Sequence, residues 1–252
     1  MKNESLHTQW QKDEKASFQG WDFTYLEGRW EEEPLPWDYK AIIQRYLEPH
    51  HALLDMGTGG GEFVLSLGHP HEKITVTEMW EPNVKLCQRT LTPLGITVHQ
   101  VFEDSALPIP DNSFDIIINR HESYDPSEVR RILKPDGIFI TQQVGGQNNV
   151  ALSKQVIDGF QPLYGHWCLD YALRELGYQG FTITNQGEYF PYLRFMDVGA
   201  LAYYAKVIEW EFPDFSVDRC YDQLYALHKT LEDRPYIKSR EHRFILVAKV
   251  NK

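Results

Sequence analysis

Short apolar runs suited to buried strands recur along the chain. They are LLDM (Leu53–Met56), the stretch around Ile74 and Val76 ending at Glu78, ITVHQVF (Ile96–Phe102), FDIIIN (Phe114–Asn119) and GIFITQQV (Gly137–Val144). Between them the spacing turns helical. Phe63, Val64 and Leu67 predict a helix from about Gly60 to Leu67, and Val84, Cys87 and Leu91 predict another with Pro82 in its first turn. In DPSEVRRILKPDG, Asp125 and Glu128 have capping-box spacing, Pro126 sits in the first turn and Pro135 ends the run. Strand alternating with helix predicts an α/β fold, a doubly wound, mostly parallel sheet with helices on both faces. Ligands of such a sheet lie beyond the carboxyl ends of its strands, where strand order reverses.

Two more strands are expected, GFTITN (Gly180–Asn185) and RFILVAKV (Arg243–Val250), with more than fifty residues between them. The intervening segment holds EYFPYLRF and a helical stripe of Val198, Leu201, Ala202, Ala205 and Ile208. A second stripe runs through Val217, Cys220, Tyr221, Leu224, His228 and Leu231. The expected organisation is an aromatic N-terminal arm (1–36), a core (37–186), a helical cap inserted between the sixth and seventh strands (187–240) and a last core strand (241–252). The arm, GWDFTYLEGRWEEEPLPWDYK, is rich in aromatics and acids. Trp21, Tyr25 and Trp30 suit either packing on the core or a lid over a substrate.

At 252 residues, 42% hydrophobic and 24% charged, the chain is long enough for one large α/β domain. The net charge of −11, with no basic run, argues against a nucleic-acid-binding face. The amino terminus is polar and no stretch reaches the length of a membrane span, so a cytoplasmic protein without a membrane partner is expected. Cys87, Cys168 and Cys220 are far apart, and the ten histidines lack ligand spacing, so neither a disulfide nor a metal site is expected.

The most informative segment is LLDMGTGGGEF, residues 53–63. A buried strand delivers Asp55, and Gly57, Gly59 and Gly61 let the chain turn where side chains would block a ligand. The dinucleotide pattern G-x-G-x-x-G/A fails in both frames, because it would need a small residue at Glu62 or at Val64. Glu62 would also repel a pyrophosphate. A nicotinamide oxidoreductase is therefore disfavoured.

The segment resembles motif I, D/E-x-G-x-G-x-G, of the class I S-adenosylmethionine-dependent methyltransferases, with Asp55, Gly57, Gly59 and Gly61 in the matching positions. The similarity extends from about Trp37 to Gly146. FEDSALPIPDNSFDIIIN and EVRRILKPDGIFI are similar to patterns that include the ubiquinone and menaquinone C-methyltransferase group, with Asp136 where glycine is usual. The resemblance implies a Rossmann-like sheet of seven strands, the last antiparallel, and S-adenosyl-L-methionine as cofactor, leaving S-adenosyl-L-homocysteine. It places Thr58 in the cofactor loop, Glu103 at the adenine amino group, Asp104 beside it and Asn119 beside the methionine moiety.

Glu78, at the end of the second strand, is placed to accept both ribose hydroxyls, and Met79 to cover the adenine. His121 and Glu122, in RHESYD, are candidates for a general base and its orienting partner, in a reaction that needs a base only if the acceptor is protonated. Trp30, Tyr189, Tyr192, Arg194 and Trp210 are candidates for an aromatic acceptor pocket with one cation, and His242–Arg243 for reaching into it. The expected function is methylation of a small molecule. Methylation of RNA or protein, or non-catalytic sensing of adenosylmethionine or adenosylhomocysteine, are the alternatives.

Overall fold

The computed structural model describes residues 2–18 and 22–252; Trp21 of the aromatic arm lies outside the described residues. In chain order the elements are α1 (Lys2–Glu14), β1 (Trp30–Glu32), α2 (Tyr39–Gln44), β2 (Leu53–Met56), α3 (Glu62–Ser66), β3 (Ile74–Glu78), α4 (Glu81–Thr90), β4 (Thr97–Gln100), β5 (Phe114–Arg120) and α5 (Pro126–Ile132). They continue with β6 (Leu133–Val144), α6 (Val150–Val156), α7 (Leu169–Tyr178), β7 (Phe181–Tyr189), β8 (Tyr192–Phe195), α8 (Val198–Val207), α9 (Tyr221–Thr230), β9 (Ile237–Arg240) and β10 (Arg243–Val250). Among the described residues no helix is long and apolar enough to cross a membrane.

The chain divides into two compact units. One comprises Pro36–Val144, Cys168–Glu188 and Phe244–Lys252; the other comprises the described residues of Met1–Leu35, with Gly145–Trp167 and Tyr189–Arg243. Residues 145–167, which the sequence groups with the core, thus cluster with the N-terminal segment and the 189–243 insertion.

The core unit carries a seven-stranded sheet in the order β4-β3-β2-β5-β6-β10-β7, mostly parallel with β10 antiparallel. Strand β2 is buried along its whole length, as a central parallel strand covered on both faces must be. Leu53 pairs with Ile74 on one side and Ile116 on the other. The chain runs outward from β2 to β3 and β4, then returns to β5 on the other side, so strand order reverses at β2. A crevice therefore opens at the carboxyl ends of β2 and β5. Leu53, Val76, Ile116, Ile118 and Ile140 pack with Val64 of α3, Cys87 of α4 and Leu91 just past its end. Each such aliphatic burial stabilises by about 1.5–3 kcal/mol.

Helix α5 starts where its cap predicts: the Asp125 carboxylate accepts the Ser127 and Glu128 N–H groups at 2.8 and 3.0 Å. The reciprocal half of the capping box does not form. Glu128 instead accepts the Leu107 N–H at 2.9 Å and pairs with Arg131, whose guanidinium also donates to the Ile109 carbonyl. The acid thus fastens the loop after β4 to α5. Helix α5 ends at Ile132, three residues before Pro135, and β6 begins at once, with a bulge facing Phe114 and Ile116. Asp136 lies in that bulge at φ +63°, a left-handed conformation that aspartate tolerates better than most residues.

The other unit has a three-stranded antiparallel sheet, β1-β8-β9, in which Trp30 pairs with Phe195 and Leu193 with Ser239. Its core gathers Trp10 of α1, Val156 of α6, Leu201 and Ala205 of α8 and Leu224 of α9. Helix α1 has no apolar stripe to predict it; Trp10 and Asp13 are its buried points. Arg29 holds the N-terminal segment to α8. It donates to Asp13 at 3.0 Å and to both oxygens of Asp197, which caps α8 by accepting the Ala200 N–H at 2.8 Å. A Cβ on Gly199 would lie 2.1 Å from Asp13 Oδ2, so glycine is required for this approach. Tyr25 donates to Asp13 at 2.6 Å, and Trp30 stacks on Phe23, so both serve packing and pairing within this unit.

Candidate functional site

The loop after β2 is built by conformations that glycine alone adopts cheaply. Gly57, Gly59 and Gly61 have φ of +65°, +63° and +89°. Gly61 caps α3, a helix of Glu62–Ser66, shorter than the 60–67 expected. The loop is tied inward by Thr58, whose N–H donates to the Thr77 carbonyl at 3.1 Å and whose hydroxyl donates to Asp55 Oδ2 at 2.7 Å. Nothing lies within 4 Å of where a Gly59 Cβ would project. At Gly57, by contrast, that position is 2.6 Å from the Glu122 side chain.

Glu78, at the end of β3, is buried and accepts three backbone N–H groups. Gly59 donates to Oε2 at 2.9 Å; Met79 and Trp80 both donate to Oε1 at 3.0 Å. This carboxylate therefore ties the glycine loop to the start of α4. Beside it is a small cavity with Met56, Val101 and Leu107 on its apolar side and Glu78, Asp104 and Glu122 on its acidic side. Met79 and Gly57 complete its rim. Asp104 faces this cavity, whereas Glu103 is exposed and not among its lining residues. Val101 and Leu107 were not singled out from the sequence, although Leu107 precedes the Pro108 that marks the turn. Nor was Phe102, 73% exposed just past β4, where β3 ends in the likewise exposed Met79 and Trp80.

The electrostatics follow from burying acids beside acids. Burial pushes the Asp55 carboxyl up to about 7, against the opposing pull of the Thr58 hydroxyl and Arg120. Burial, then Asp104, raises Glu122 above the ordinary carboxylate range, partly offset by the Ser123 N–H. Cys87, whose thiol donates to the Gly59 carbonyl at 3.1 Å, is pushed up to about 11 by burial and by Glu78. Arg120 lies over the Phe63 ring at 4.4 Å, and Phe63 stacks on Tyr39. An anionic ligand is disfavoured in such a site, and a cationic one is favoured.

Asn119 stands near the end of β5, as expected, with its side chain turned inward. Its side chain is fully buried and satisfied: Oδ1 accepts from Gln143 at 2.7 Å and Thr141 at 3.1 Å, and Nδ2 donates to the Ser123 carbonyl at 3.3 Å. It braces the turn after β5. His121, next on that turn but one, is exposed, adopts φ +63° and has its Nε2 3.1 Å from Gln142 Nε2. Gln142 in turn accepts the Trp37 indole N–H at 2.8 Å. Sequence reading passed over Trp37 and Gln142, because a buried polar residue at a strand end carries no periodic signal.

The residues expected to form an aromatic acceptor pocket belong to the other unit. Tyr189 donates to Glu33 at 2.8 Å and Tyr192 to Glu31 at 2.8 Å. Arg194 pairs with Glu31 at 3.0 Å and lies over the Tyr192 and Tyr236 rings, so the expected pocket cation is already engaged. Trp30 packs against Phe23 and Tyr204, and Trp210 is half-exposed. His242 is buried and stacks on Phe190, while Arg243 pairs with Glu241. Away from these, Glu48, His50 and His51 bring donor atoms within 4.8 Å of one another on a largely exposed loop, a grouping the sequence spacing did not reveal. His51 Nδ1 there already accepts the Glu48 N–H.

The family model described as "Methyltransferase domain" matches residues 54–141, from the glycine-loop strand through most of β6. That description does not separate the quinone C-methyltransferases from the rest. No curated protein matches the chain in sequence. Among solved structures it is similar to the YcgJ protein of Bacillus subtilis at 15% identity and a TM-score of 0.56, covering 85% of this chain and 98% of that one. It is similar to a SAM-dependent methyltransferase from Aquifex aeolicus at 16% identity and TM-score 0.51, covering 91% and 94%. A [4+2]-cyclase, SpnF, shares the fold at 19% identity and TM-score 0.50, covering 84% and 79%. Residues 54–141, with their glycine loop at the reversal point of a seven-stranded sheet, form a methyltransferase domain.

Proposed function

We propose that the cavity beside Glu78 receives the adenosyl part of S-adenosyl-L-methionine and that the protein methylates a small molecule. The observation that carries this reading is the Glu78 carboxylate. It stands at the end of β3 with the N–H groups of Gly59, Met79 and Trp80 around it and an apolar wall of Val101 and Leu107 beside it. A carboxylate is the natural acceptor for a vicinal diol, and the apolar wall with exposed Met79 and Phe102 suits a flat purine. The bare backbone at Gly59 gives room for close approach.

The residues fit this cofactor in charge as well as shape. When bound, it supplies an electrophilic methyl group on a sulfonium. Asp104, Glu122 and Asp55 favour that cation, and the same acids oppose the pyrophosphate of a nicotinamide dinucleotide. The protein's own contribution is then to position the acceptor in line and exclude water. A net charge of −11 supports a small acceptor over RNA, and a cytoplasmic setting fits the absence of any long apolar stretch in the sequence.

Calorimetric titration with S-adenosylhomocysteine, with NADH as control, tests the reading. Micromolar binding of the first alone is expected, with a loss of at least 100-fold in Gly59→Arg and about tenfold or more in Glu78→Ala. No binding by the folded protein overturns the cofactor assignment. Binding without methyl release to any acceptor favours a sensor.

A further inference from the structure

The turn after β5 reaches across to the turn after β2. Met56 and Asn119 are register partners at the ends of these two strands, and Glu122, on the turn that follows, lays its side chain against Gly57. A Cβ at Gly57 would stand 2.6 Å from both Cγ and Oε2 of Glu122, too close for any side chain there. Gly57 is therefore bare to admit Glu122, whereas Gly59 is bare toward open space.

Buried amides brace this turn. Gln143 of β6 donates to the Glu122 carbonyl at 2.9 Å, and Asn119 donates to the Ser123 carbonyl at 3.3 Å. The Glu122 carboxylate itself is only loosely compensated: Oε1 accepts the Ser123 N–H at 3.3 Å and the Ser123 hydroxyl at 3.4 Å, both long. Glu78, on the same cavity, is by contrast ringed by the N–H groups of Gly59, Met79 and Trp80. Arg120, the cation of the turn, lies over the Phe63 ring. Burial, then the charge of Asp104, raises the Glu122 carboxyl above its ordinary value, with Glu78 adding to the effect and Ser123 opposing it. A cation in the cavity offsets these costs.

The order of the strands decides which part of a ligand Glu122 meets. The apolar wall suited to a purine, Met79, Val101 and Leu107, follows β3 and β4; Glu78, the diol acceptor, ends β3; Gly57 and Glu122 lie just past β2 and β5, next in the sheet. In an adenosyl group the sulfur follows the ribose on the side away from the base. We propose that Glu122 is the residue that reads the cofactor's charge: seated on Gly57 and held by Gln143, its carboxylate favours the sulfonium of S-adenosyl-L-methionine over the neutral thioether of S-adenosyl-L-homocysteine. Asp104 adds its charge from the β4 side of the cavity. This role rests on the adenosylmethionine reading; the packing of Glu122 on Gly57 does not. Methyl transfer leaves a neutral sulfur, so the attraction that holds the donor is absent from the product, which favours exchange of spent cofactor for fresh.

Calorimetric titration of the full-length protein at pH 8 with S-adenosylmethionine, S-adenosylhomocysteine and sinefungin tests the role. Sinefungin carries an ammonium in place of the methylated sulfur and transfers nothing, so it reports charge without reaction. Glu122→Gln keeps the size of the side chain and removes its charge. It should weaken S-adenosylmethionine and sinefungin about tenfold to thirtyfold and S-adenosylhomocysteine by less than about twofold. Retained S-adenosylhomocysteine binding shows that the variant is folded and its site intact. An equal loss for all three ligands means that Glu122 only shapes the turn and overturns the proposal, as does no loss for any. Should Glu122→Gln bind none of the three, Glu122→Asp decides, because it keeps the charge: a product-to-donor Kd ratio within about threefold of the unaltered protein's supports the role, and a shift of about tenfold overturns it. No binding of any of the three by the unaltered protein overturns the cofactor reading and the role with it, whereas binding that Glu122→Gln leaves unchanged overturns the role alone.

Discussion

The Arg29 junction of one unit and the acidic cavity of the other treat buried carboxylates in opposite ways. At the junction, Asp13 and Asp197 share one guanidinium, and Asp197 also caps a helix. Burial alone would raise Asp197, but the Arg29 hydrogen bonds and the Ala200 N–H outweigh it and leave its carboxyl below the ordinary value. In the cavity, Glu78, Asp104 and Glu122 converge, and among the described lining residues none is cationic. Glu122 is raised by burial and by Asp104. The junction is complete within the protein; the cavity holds charge that a cationic ligand would complement. Buried polar groups with full internal satisfaction mark structure, and convergent like charges beside a bare backbone mark a site.

Removing the charge should therefore have opposite effects in the two places. Arg29→Met leaves Asp13, 1% exposed, and Asp197 without their counter-ion and should cost about 3 kcal/mol of stability. Urea unfolding measures it. A cost below about 1 kcal/mol would mean the junction is a surface pair in effect and would erase the contrast.

Asp55→Asn should act in the reverse sense. The folded protein holds the Asp55 proton up to about pH 7, whereas the unfolded chain releases it near 4, so the folded state binds more protons between those values. Stability should then fall as pH rises from about 4 to 7 and level off above. Replacing the acid removes this fall and should stabilise the protein at pH 8 by on the order of 2 kcal/mol, with the Thr58 hydroxyl still able to donate to the amide oxygen. Unfolding curves for both proteins across pH 5–8 decide it; parallel curves would show that Asp55 is ionised throughout.

The two regions also differ in how far the sequence reveals them. The core sheet is legible because central parallel strands are continuous apolar runs, and the loop is legible because positive φ at Gly57, Gly59 and Gly61 demands glycine. The junction is not: Arg29 and Asp197 are 168 residues apart, and α1 is held by contacts of that range instead of by its own periodicity. The place of Asn119 at the end of β5 is legible, but the inward turn of its amide to Thr141 and Gln143 is not. Arg194 sits among aromatics as expected, but its pairing with Glu31, 163 residues away in sequence and opposite it on the neighbouring strand, has no local signal.

The finest test separates two adjacent acids, one lining the cavity and one exposed beside it in sequence. Glu103 matches the family position for the adenine amino group, yet it is Asp104 that lines the cavity wall with Leu107, on a loop pinned to α5 by Glu128 and Arg131. That pinning limits how far the loop can rotate to exchange the two side chains. Asp104→Asn should weaken S-adenosylmethionine binding about threefold to tenfold by removing a charge near the sulfonium, and S-adenosylhomocysteine binding less, because its sulfur is neutral. Glu103→Gln should change either by less than twofold, since its carboxylate is exposed and screened. Titration of both variants with both ligands reads the difference. If Glu103→Gln proves the more damaging, the loop turns on binding and the family position holds after all. Equal losses for the two ligands in Asp104→Asn would instead mean that Asp104 reads the adenosine and not the charge, and the acidity of the cavity would need another purpose.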